Sequence, residues 1–358
     1  MVRTNNLNVS GLTPLIAPAD LKQVLPLSAA AAEFVASARE QIQNILWSRD
    51  PRMMVVVGPC SIHDPKAALE YAERLAKLNN ELKDQLLLVM RVYFEKPRTT
   101  IGWKGLINDP DLDGTHQIPK GLGIARGLML NISAMGLPVA TEMLDPITPQ
   151  YMADIISWGA IGARTTESQT HRGRSSGLSF PVGFKNGTDG SLQVAIDAMG
   201  AACHSHNFIG VNREGRVSIV RTTGNSNVHL VLRGGNNQPN YKASDIATTM
   251  QRLSQANIKT SIMVDCSHAN SCKDHTRQEG VMTDVMDQVA GGNSSIGSLM
   301  IESFLEEGNQ KMAEKFEDLT YGVSITDKCV NWETTERMLR HAHARLKECG
   351  GRKLTGDK

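Results

Sequence analysis

Metal-ligating side chains stand near the ends of three short apolar segments and in the loop after the last one. Cys60, His268 and Glu302 are near segment ends, and Asp327 is in that loop. A thiolate, an imidazole and two carboxylates form a mixed donor set, which suits a borderline divalent ion such as Mn²⁺, Fe²⁺, Co²⁺ or Zn²⁺. Cys266 is a competing thiol, because it lies two residues before His268 and can share one side of a strand with it.

Basic side chains occupy the same kind of position. Those at or just beyond segment ends are Arg91, Lys96, Arg98, Arg164, Lys185 and Arg233. So many like charges at one place would repel one another unless anions were bound between them. The planar fork of arginine matches phosphate or carboxylate, and lysine acts as a compact point charge. The sequence therefore predicts one or two phosphorylated ligands, with Thr99 and Thr100 as further donors.

Eight apolar segments of strand length position these residues. They cover residues 53–57, 86–90, 137–141, 160–163, 181–184, 228–232, 261–264 and 297–301. Helix-length stretches separate most of them, which is typical of a parallel α/β protein. We predict a (β/α)8 TIM barrel, in which the eight strand ends meet at one mouth and form the active site. The alternative is that each polar end only caps a buried strand.

Other segments extend the barrel within one catalytic domain spanning residues 1–358. Residues 1–50 predict an N-terminal arm and a helix that begins after Ser28, and residues 207–221 predict a β-hairpin inserted between barrel strands 5 and 6. Residues 349–358 predict a flexible tail. Further helices are expected at 65–83, 121–135, 148–157, 190–203, 243–255, 278–290 and 333–347.

Charge and apolar content limit the function classes. Lys and Arg number 38 against 37 Asp and Glu, and the net charge of +1 predicts no binding to nucleic acid or to a membrane surface. No apolar run reaches the roughly 18 residues of a membrane span, and the N-terminus lacks the apolar core of a signal peptide. The six cysteines show no C-x-x-C spacing. We therefore expect a cytoplasmic protein with reduced thiols.

The strings that contain these residues are long enough to compare with known families. They include GPCSIHDP (58–65), MRVYFEKPRTT (90–100), PVGFKNGTDG (181–190), DCSHANS (265–271) and YGVSITDKCVNWE (321–333). They resemble the type I 3-deoxy-D-arabino-heptulosonate 7-phosphate (DAHP) synthases, the first enzymes of the shikimate pathway. The resemblance implies a barrel with an N-terminal extension and an inserted hairpin. It also implies condensation of phosphoenolpyruvate with D-erythrose 4-phosphate, with release of phosphate.

The resemblance implies a role for each site residue. The implied metal ligands are Cys60, His268, Glu302 and Asp327, with Mn²⁺ the favoured ion. The residues implied around phosphoenolpyruvate are Arg91, Lys96, Ala163, Arg164, Lys185 and Arg233. Those implied to hold the sugar phosphate are Lys96, Pro97, Arg98 and Thr99. The predicted catalytic residues are Lys96, Glu142, His268 and Asp327, and the group that moves protons stays open between Lys96, Glu142 and a metal-bound water.

One segment departs from the family pattern. After Thr170-His171-Arg172 the family usually continues with an acidic residue and two apolar ones, whereas this chain has Gly173-Arg174-Ser175. The segment borders the predicted site. We therefore expect substrate affinity or subunit contacts to differ there.

Members of this family are commonly inhibited by one aromatic amino acid, bound between the hairpin, barrel helices and the arm of a neighbouring subunit. The matching positions are Asn6, Pro149, Gln150, Leu178, Ser179, Phe208, Gly210 and Val220. Tyrosine-sensitive members tend to carry Gly at position 210, which leaves room for a phenolic hydroxyl, so tyrosine is the predicted inhibitor. The alternative is that Gly210 only serves the hairpin backbone. An arm that crosses subunits predicts a homo-oligomer, either a dimer or a tetramer.

Two other functions compete with this interpretation. A related phosphoenolpyruvate-dependent barrel enzyme could use another sugar phosphate, and it should then differ in the KPRTT loop at 96–100. A non-catalytic amino-acid-binding regulator would keep the hairpin site and lose catalytic residues, yet none is missing here.

Overall fold

The computed structural model describes residues 2–236, 238–313 and 315–355. Eight parallel strands close into a barrel in the order β1-β2-β3-β4-β5-β8-β9-β10. These strands are β1 (Met53–Gly58), β2 (Leu86–Arg91), β3 (Val139–Glu142), β4 (Trp158–Ile161), β5 (Val182–Lys185), β8 (Val228–Leu232), β9 (Ile262–Asp265) and β10 (Ile296–Glu302). The predicted (β/α)8 barrel is therefore confirmed.

The inside of the barrel is filled by side chains that point inward from alternate positions. A buried cluster contains Val56, Val89, Ala160, Val231 and Met300, one from each of five strands. Such layers are typical of a packed TIM-barrel interior. The polar side chains that follow the strands therefore meet only at the mouth.

Strand β4 begins two residues earlier than predicted. Trp158 pairs with Ala140 of β3 and is fully buried, and its indole Nε1 lies 2.8 Å from His229 Nε2. The aromatic residue therefore belongs to the strand, although the apolar pattern predicted a start at residue 160. The predicted helix at 148–157 is correspondingly short and covers only Pro149–Met152.

Ten α-helices occur in the described residues. They are α1 (Pro18–Val24), α2 (Ala29–Leu46), α3 (Pro65–Leu82), α4 (Ile118–Ala134), α5 (Pro149–Met152), α6 (Gln169–Ser175), α7 (Gln193–Ala202), α8 (Ala243–Gln255), α9 (Gln278–Ala290) and α10 (Trp332–Glu348). Ser28 caps α2 by accepting the amide of Ala31 at 3.2 Å, and Asp64 caps α3 in the same way. None of the described helices is both long and apolar enough to cross a membrane.

The predicted hairpin is present as β6 (Asn207–Val211) and β7 (Val217–Arg221), which pair antiparallel outside the barrel. Ile209 and Ile219 are largely exposed, with 75% and 65% of their surface accessible. The N-terminal arm runs to α1, where the amide of Ala19 donates to the carbonyl of Arg213 at the hairpin turn. Arm and hairpin therefore lie on one side of the barrel.

The first residues of the predicted flexible tail pack against the rest of the protein. Arg352 is 2% exposed, and its guanidinium donates to the carbonyls of Ile45, Asp50 and Ser294. The two Nη atoms therefore have backbone acceptors, whereas the buried Nε has none among the described residues. The expectation of a frayed end is therefore wrong for this part of the tail, and residues 356–358 lie outside the described residues.

Candidate active site

A cavity of about 480 Å³ opens at the mouth of the barrel. The predicted residues that line it are Arg91, Lys96, Pro97, Arg98, Glu142, Ala163, Arg164, Lys185, Arg233, His268, Glu302 and Asp327. Three predicted residues do not line the cavity. Cys60 is fully buried beneath Lys96, and Thr99 and Thr100 stand exposed in the loop after β2.

Three of the predicted metal ligands form a tight cluster. One ligand atom from each of Cys60, Glu302 and Asp327 lies within 4.8 Å of the others, and Cys60 Sγ is 3.5 Å from Asp327 Oδ2. His268 stands at the edge of this cluster, with its Nε2 3.9 Å from Glu302 Oε1. A thiol, two carboxylates and an imidazole at these distances fit a borderline divalent ion. The competing thiol, Cys266, is equally buried but does not belong to this cluster of ligand atoms in the described residues.

Asp265 orients the His268 ring. Its Oδ2 lies 2.9 Å from His268 Nδ1, which leaves Nε2 facing Glu302. A carboxylate this close to Nδ1 restrains the orientation of a histidine ring. The backbone of His268 has a φ of 55°, a strained conformation for a residue with a side chain. Strand end and loop together therefore hold the imidazole towards the cluster.

Glu302 is held on both oxygens. Arg91 Nη2 donates to Oε1 at 3.0 Å, and the hydroxyl of Ser267 donates to Oε2 at 3.0 Å. Arg91 is itself 1% exposed and lies over the ring of Tyr93 at 3.5 Å. A buried ion pair with this many partners is rigid, and removing one member would leave the other uncompensated.

Lys96 and Cys60 are in contact, and each changes the pKa of the other. Lys96 Nζ lies 3.1 Å from Cys60 Sγ and 3.2 Å from the carbonyl of Cys60. Burial raises the pKa of the Cys60 thiol to about 11, and the charge of Glu302 adds to the rise. Burial alone would lower the pKa of Lys96, but Cys60 and Glu302 more than offset it, so that pKa is raised. A metal would have to displace the thiol proton on binding.

The remaining cations differ in how they are paired. Lys185 Nζ lies 2.9 Å from Asp265 Oδ2. In the described part of the chain, neither Arg164 nor Arg233 has a carboxylate within 4.0 Å. Burial lowers the pKa of Arg233, and Asp265 opposes that change while Arg164 adds to it. Two neighbouring guanidinium groups without an acidic partner form an anion site.

Glu142 faces these arginines from the end of β3. A side chain at Gly162 would overlap the Glu142 carboxylate, so the absence of a Cβ there makes room for it. Gly162 directly precedes Ala163 and Arg164, and all three line the cavity with Glu142. The carboxylate therefore lies beside the anion site.

Several cavity residues were not identified from the sequence. They are Tyr93, Thr188, Ser267, Ser271, Lys273, His275, Asn309, Thr326 and Lys328. Some stand within the strings that carry the family resemblance, such as Ser267 in DCSHANS and Lys328 after Asp327. Their polar character alone did not distinguish them from ordinary loop residues.

The predicted inhibitor positions are spread over the hairpin, helix α5, the turn after α6 and the N-terminal arm. Phe208 and Val220 stand opposite each other on β6 and β7, and a Cβ at Gly210 would lie 2.7 Å from Val220 Cγ2. Pro149 begins α5, with Gln150 after it, and Leu178 and Ser179 follow α6. Asn6 lies in the exposed arm and bonds there to Arg3 and Asn5.

Comparison with known proteins agrees with this geometry. Residues 30–340 match the DAHP synthetase I family. The chain is 54% identical to the Tyr-sensitive phospho-2-dehydro-3-deoxyheptonate aldolase of Escherichia coli K12 over 96% of each chain. It is also 54% identical to the Phe-sensitive enzyme of that organism, over 94% of this chain and 96% of that one. A solved phospho-2-dehydro-3-deoxyheptonate aldolase from Francisella tularensis SCHU S4 superimposes with a TM-score of 0.92 at 48% identity, covering 95% of this chain and 99% of that one. The chain belongs to the DAHP synthetase I family.

Proposed function

We propose that this enzyme condenses phosphoenolpyruvate with D-erythrose 4-phosphate and water to give DAHP and inorganic phosphate. The observation that carries the proposal is that Arg164 and Arg233, which have no carboxylate within 4.0 Å in the described part of the chain, line the same cavity as Glu302 and Asp327 of the candidate metal cluster. An anion and a metal can therefore be bound side by side. The cavity of about 480 Å³ is large enough for two small phosphorylated substrates.

The metal would be held by Cys60, His268, Glu302 and Asp327, and Mn²⁺ is the favoured ion. When bound, it supplies a Lewis acid that polarises the aldehyde oxygen of the sugar phosphate. His268 is oriented for this task by Asp265, and Glu302 by Arg91.

The cations of the mouth bind and orient phosphoenolpyruvate. Arg164, Arg233 and Lys185 surround the anion, with Arg91 and Lys96 deeper in the cavity. Lys96, Pro97 and Arg98 hold the phosphate of the sugar, and Thr99, which does not line the cavity, would join them only if its loop moved. The Nε of Arg98 donates to the carbonyl of Trp103 at 2.8 Å, which fixes this side chain. Fixed positive charges allow two anionic substrates to approach in the geometry of reaction.

The condensation joins the methylene carbon of phosphoenolpyruvate to the aldehyde carbon of the sugar. Water adds to the neighbouring carbon of phosphoenolpyruvate. The C–O bond between that carbon and the phosphate then breaks, and the phosphate leaves with the bonding electrons and takes up the proton of the added hydroxyl, so that a ketone remains. Glu142 positions this water and is placed to accept its proton. Lys96 is the candidate acid on the other side, because its raised pKa keeps it protonated.

The aldehyde substrate is tested by comparing erythrose 4-phosphate with arabinose 5-phosphate. The metal-loaded protein should consume phosphoenolpyruvate when erythrose 4-phosphate is present and not when arabinose 5-phosphate is present. It should release one phosphate for each phosphoenolpyruvate consumed. Turnover with arabinose 5-phosphate instead would assign the related barrel enzyme. Absence of turnover with either sugar, together with binding of an aromatic amino acid, would assign a non-catalytic regulator.

Feedback inhibition by tyrosine is the proposed regulation. Gly210 supports it, as does similarity to the Tyr-sensitive enzyme, but identity to the Phe-sensitive enzyme is equally high. A titration with each aromatic amino acid decides the matter, and stronger inhibition by phenylalanine than by tyrosine would contradict the proposal.

A homo-oligomer in which arm and hairpin of two chains meet is also proposed. Exposed apolar side chains on both segments support it, among them Leu7, Leu12, Ile209 and Ile219. Light scattering tests it, and a monomer at assay concentration would contradict it. Location in the cytoplasm stays a prediction.

A further inference from the structure

Arg174 is the residue of the unusual 173–175 segment that reaches furthest from its helix. Its Nη1 donates to the carbonyl of Pro146 at 2.5 Å, and its Nη2 lies 3.4 Å from the carbonyl of Ile209 on the hairpin. The guanidinium carbon lies 5.2 Å from the ring centre of Phe208. One cation therefore spans the two segments that carry the proposed inhibitor positions Pro149 and Phe208.

This cation is incompletely paired. The Nε of Arg174 is buried and has no acceptor in the described residues, where no carboxylate lies within 4.0 Å of the side chain either. Asp145 acts on it only from a greater distance. Arg126 shows the contrasting case, since both of its Nη atoms donate to the Asp154 carboxylate at 2.9 and 2.8 Å. A half-buried charge without an anionic partner favours binding of an anion.

We propose that Arg174 is an effector-binding residue that pairs with the carboxylate of the aromatic amino acid. The proposal rests on the regulation given under the proposed function and names the group of the ligand that this chain recognises. The buried Nε lacks an acceptor among the described residues and Nη2 is weakly bound, so a carboxylate entering beside Phe208 would give this pair of donors an acceptor. Phe208, beneath the guanidinium, provides an aromatic wall for the ligand's own ring.

Arg174 also connects the proposed inhibitor positions to the barrel mouth. Pro146, which accepts from Arg174, follows Asp145, and Asp145 Oδ1 accepts the amides of Ile147 and Thr148. The hydroxyl of Thr148 lies 3.4 Å from Glu95 Oε1, and Glu95 directly precedes Lys96. A carboxylate that draws Arg174 away from Pro146 would therefore release a loop that contacts the substrate-binding segment.

The experiment compares tyrosine with tyramine, which lacks the carboxylate, as inhibitors of four proteins. These are the natural protein, Arg174→Leu, Arg174→Lys and the control Arg213→Gln, whose exposed side chain pairs only with its neighbour Glu214 among the described residues. Tyrosine should inhibit the natural protein at least about tenfold more strongly than tyramine. Arg174→Leu should weaken inhibition by tyrosine by at least about tenfold and remove the difference between the two compounds. Arg174→Lys should keep part of the difference between tyrosine and tyramine, because the positive charge remains. Arg213→Gln should be inhibited by both compounds as the natural protein is.

Two results would overturn the proposal. One is tyrosine inhibition of Arg174→Leu that equals or exceeds that of the natural protein, because Arg174 would then only fill the pocket. The other is a natural protein that makes DAHP but responds to no aromatic amino acid, which leaves the proposed catalysis standing. Calorimetric titration of the same proteins with tyrosine makes the comparison without turnover, so a failure of the proposed reaction does not hide the result.

Discussion

The barrel mouth and the hairpin face differ in how fully one chain satisfies their side chains. At the mouth, Glu302 is bonded by Arg91 and Ser267, and Asp265 is shared by Lys185 and His268. On the hairpin face, Ile209 and Ile219 are exposed, and the Nε of Arg174 has no acceptor among the described residues. The mouth is thus organised before any ligand binds, whereas the hairpin face leaves apolar surface and a donor without partners. The first arrangement suits the proposed chemistry, and the second suits the proposed effector and second chain.

The largest effect should come from breaking the buried ion pair of the mouth. Glu302→Ala leaves Arg91 buried without its partner, which should cost about 3–5 kcal/mol of unfolding free energy and abolish turnover. The exposed hairpin pair gives the matched control, since Glu214→Ala should change stability by no more than about 0.5 kcal/mol. Urea denaturation measures both, and similar losses for the two variants would remove the contrast between the regions.

The closed end of the barrel offers a second test of buried charge. Arg352→Ala removes donors from the carbonyls of Ile45 and Asp50, at 2.8 and 3.0 Å, and should cost about 2–4 kcal/mol of unfolding free energy. The affinity for Mn²⁺ should not change, because the proposed metal site lies at the mouth, at the opposite end of the barrel. An unchanged denaturation midpoint would show that the tail does not contribute to stability.

Asp265 lies behind the proposed metal ligand His268 without belonging to the proposed ligand set. Asp265→Asn keeps the shape but removes the charge that faces His268 Nδ1 and Lys185. Affinity for Mn²⁺ should fall by about 10–100-fold, as measured by calorimetry. A variant with natural affinity would mean that His268 needs no orienting carboxylate.

The stability of the metal-free protein should depend on Glu95. Burial, with the nearby charge of Asp145, raises the pKa of this carboxyl from 4.5 to about 8. The folded state therefore holds a proton that the unfolded state has lost, and this contribution to stability disappears as pH rises from about 4.5 to 8. Glu95→Gln should flatten that part of the stability profile, and an unchanged profile in urea denaturation at several pH values would contradict the raised pKa.

The smallest expected effect concerns Gly210 on the hairpin. Gly210→Ser places a Cβ against Val220 Cγ2, so the side chains of the proposed pocket must shift slightly. Inhibition by tyrosine should weaken several-fold while the uninhibited rate stays the same. If Gly210 only serves the hairpin backbone, the variant should lose stability and keep the same order of preference among the aromatic amino acids.

The sequence predicted most of the fold because apolar segments of strand length alternate with helical ones, and each strand end carries a polar residue. Helices α1 and α6 were missed, since seven residues are too few for a clear helical period. The start of β4 was missed because Trp158 precedes two small residues instead of standing within an apolar run.

Only part of the candidate site could be predicted from the sequence. Ligand types at strand ends identified Cys60, Glu302 and Asp327, which the fold brings together. The parts that spacing could not predict are those set by tertiary contacts, such as the orientation of His268 by Asp265 and the packing of Arg352 under the barrel. The reach of Arg174 to the hairpin likewise depends on how α6 is placed.

The most direct test of the catalytic mouth is the rate of phosphate release from phosphoenolpyruvate and erythrose 4-phosphate by chelator-treated protein, before and after Mn²⁺ is added. We expect almost no release at first and full recovery once about one Mn²⁺ is bound per chain, with no recovery in Cys60→Ala. A rate that survives chelation, or that Cys60→Ala recovers as fully as the natural protein, would contradict the assignment of this cluster as the metal centre.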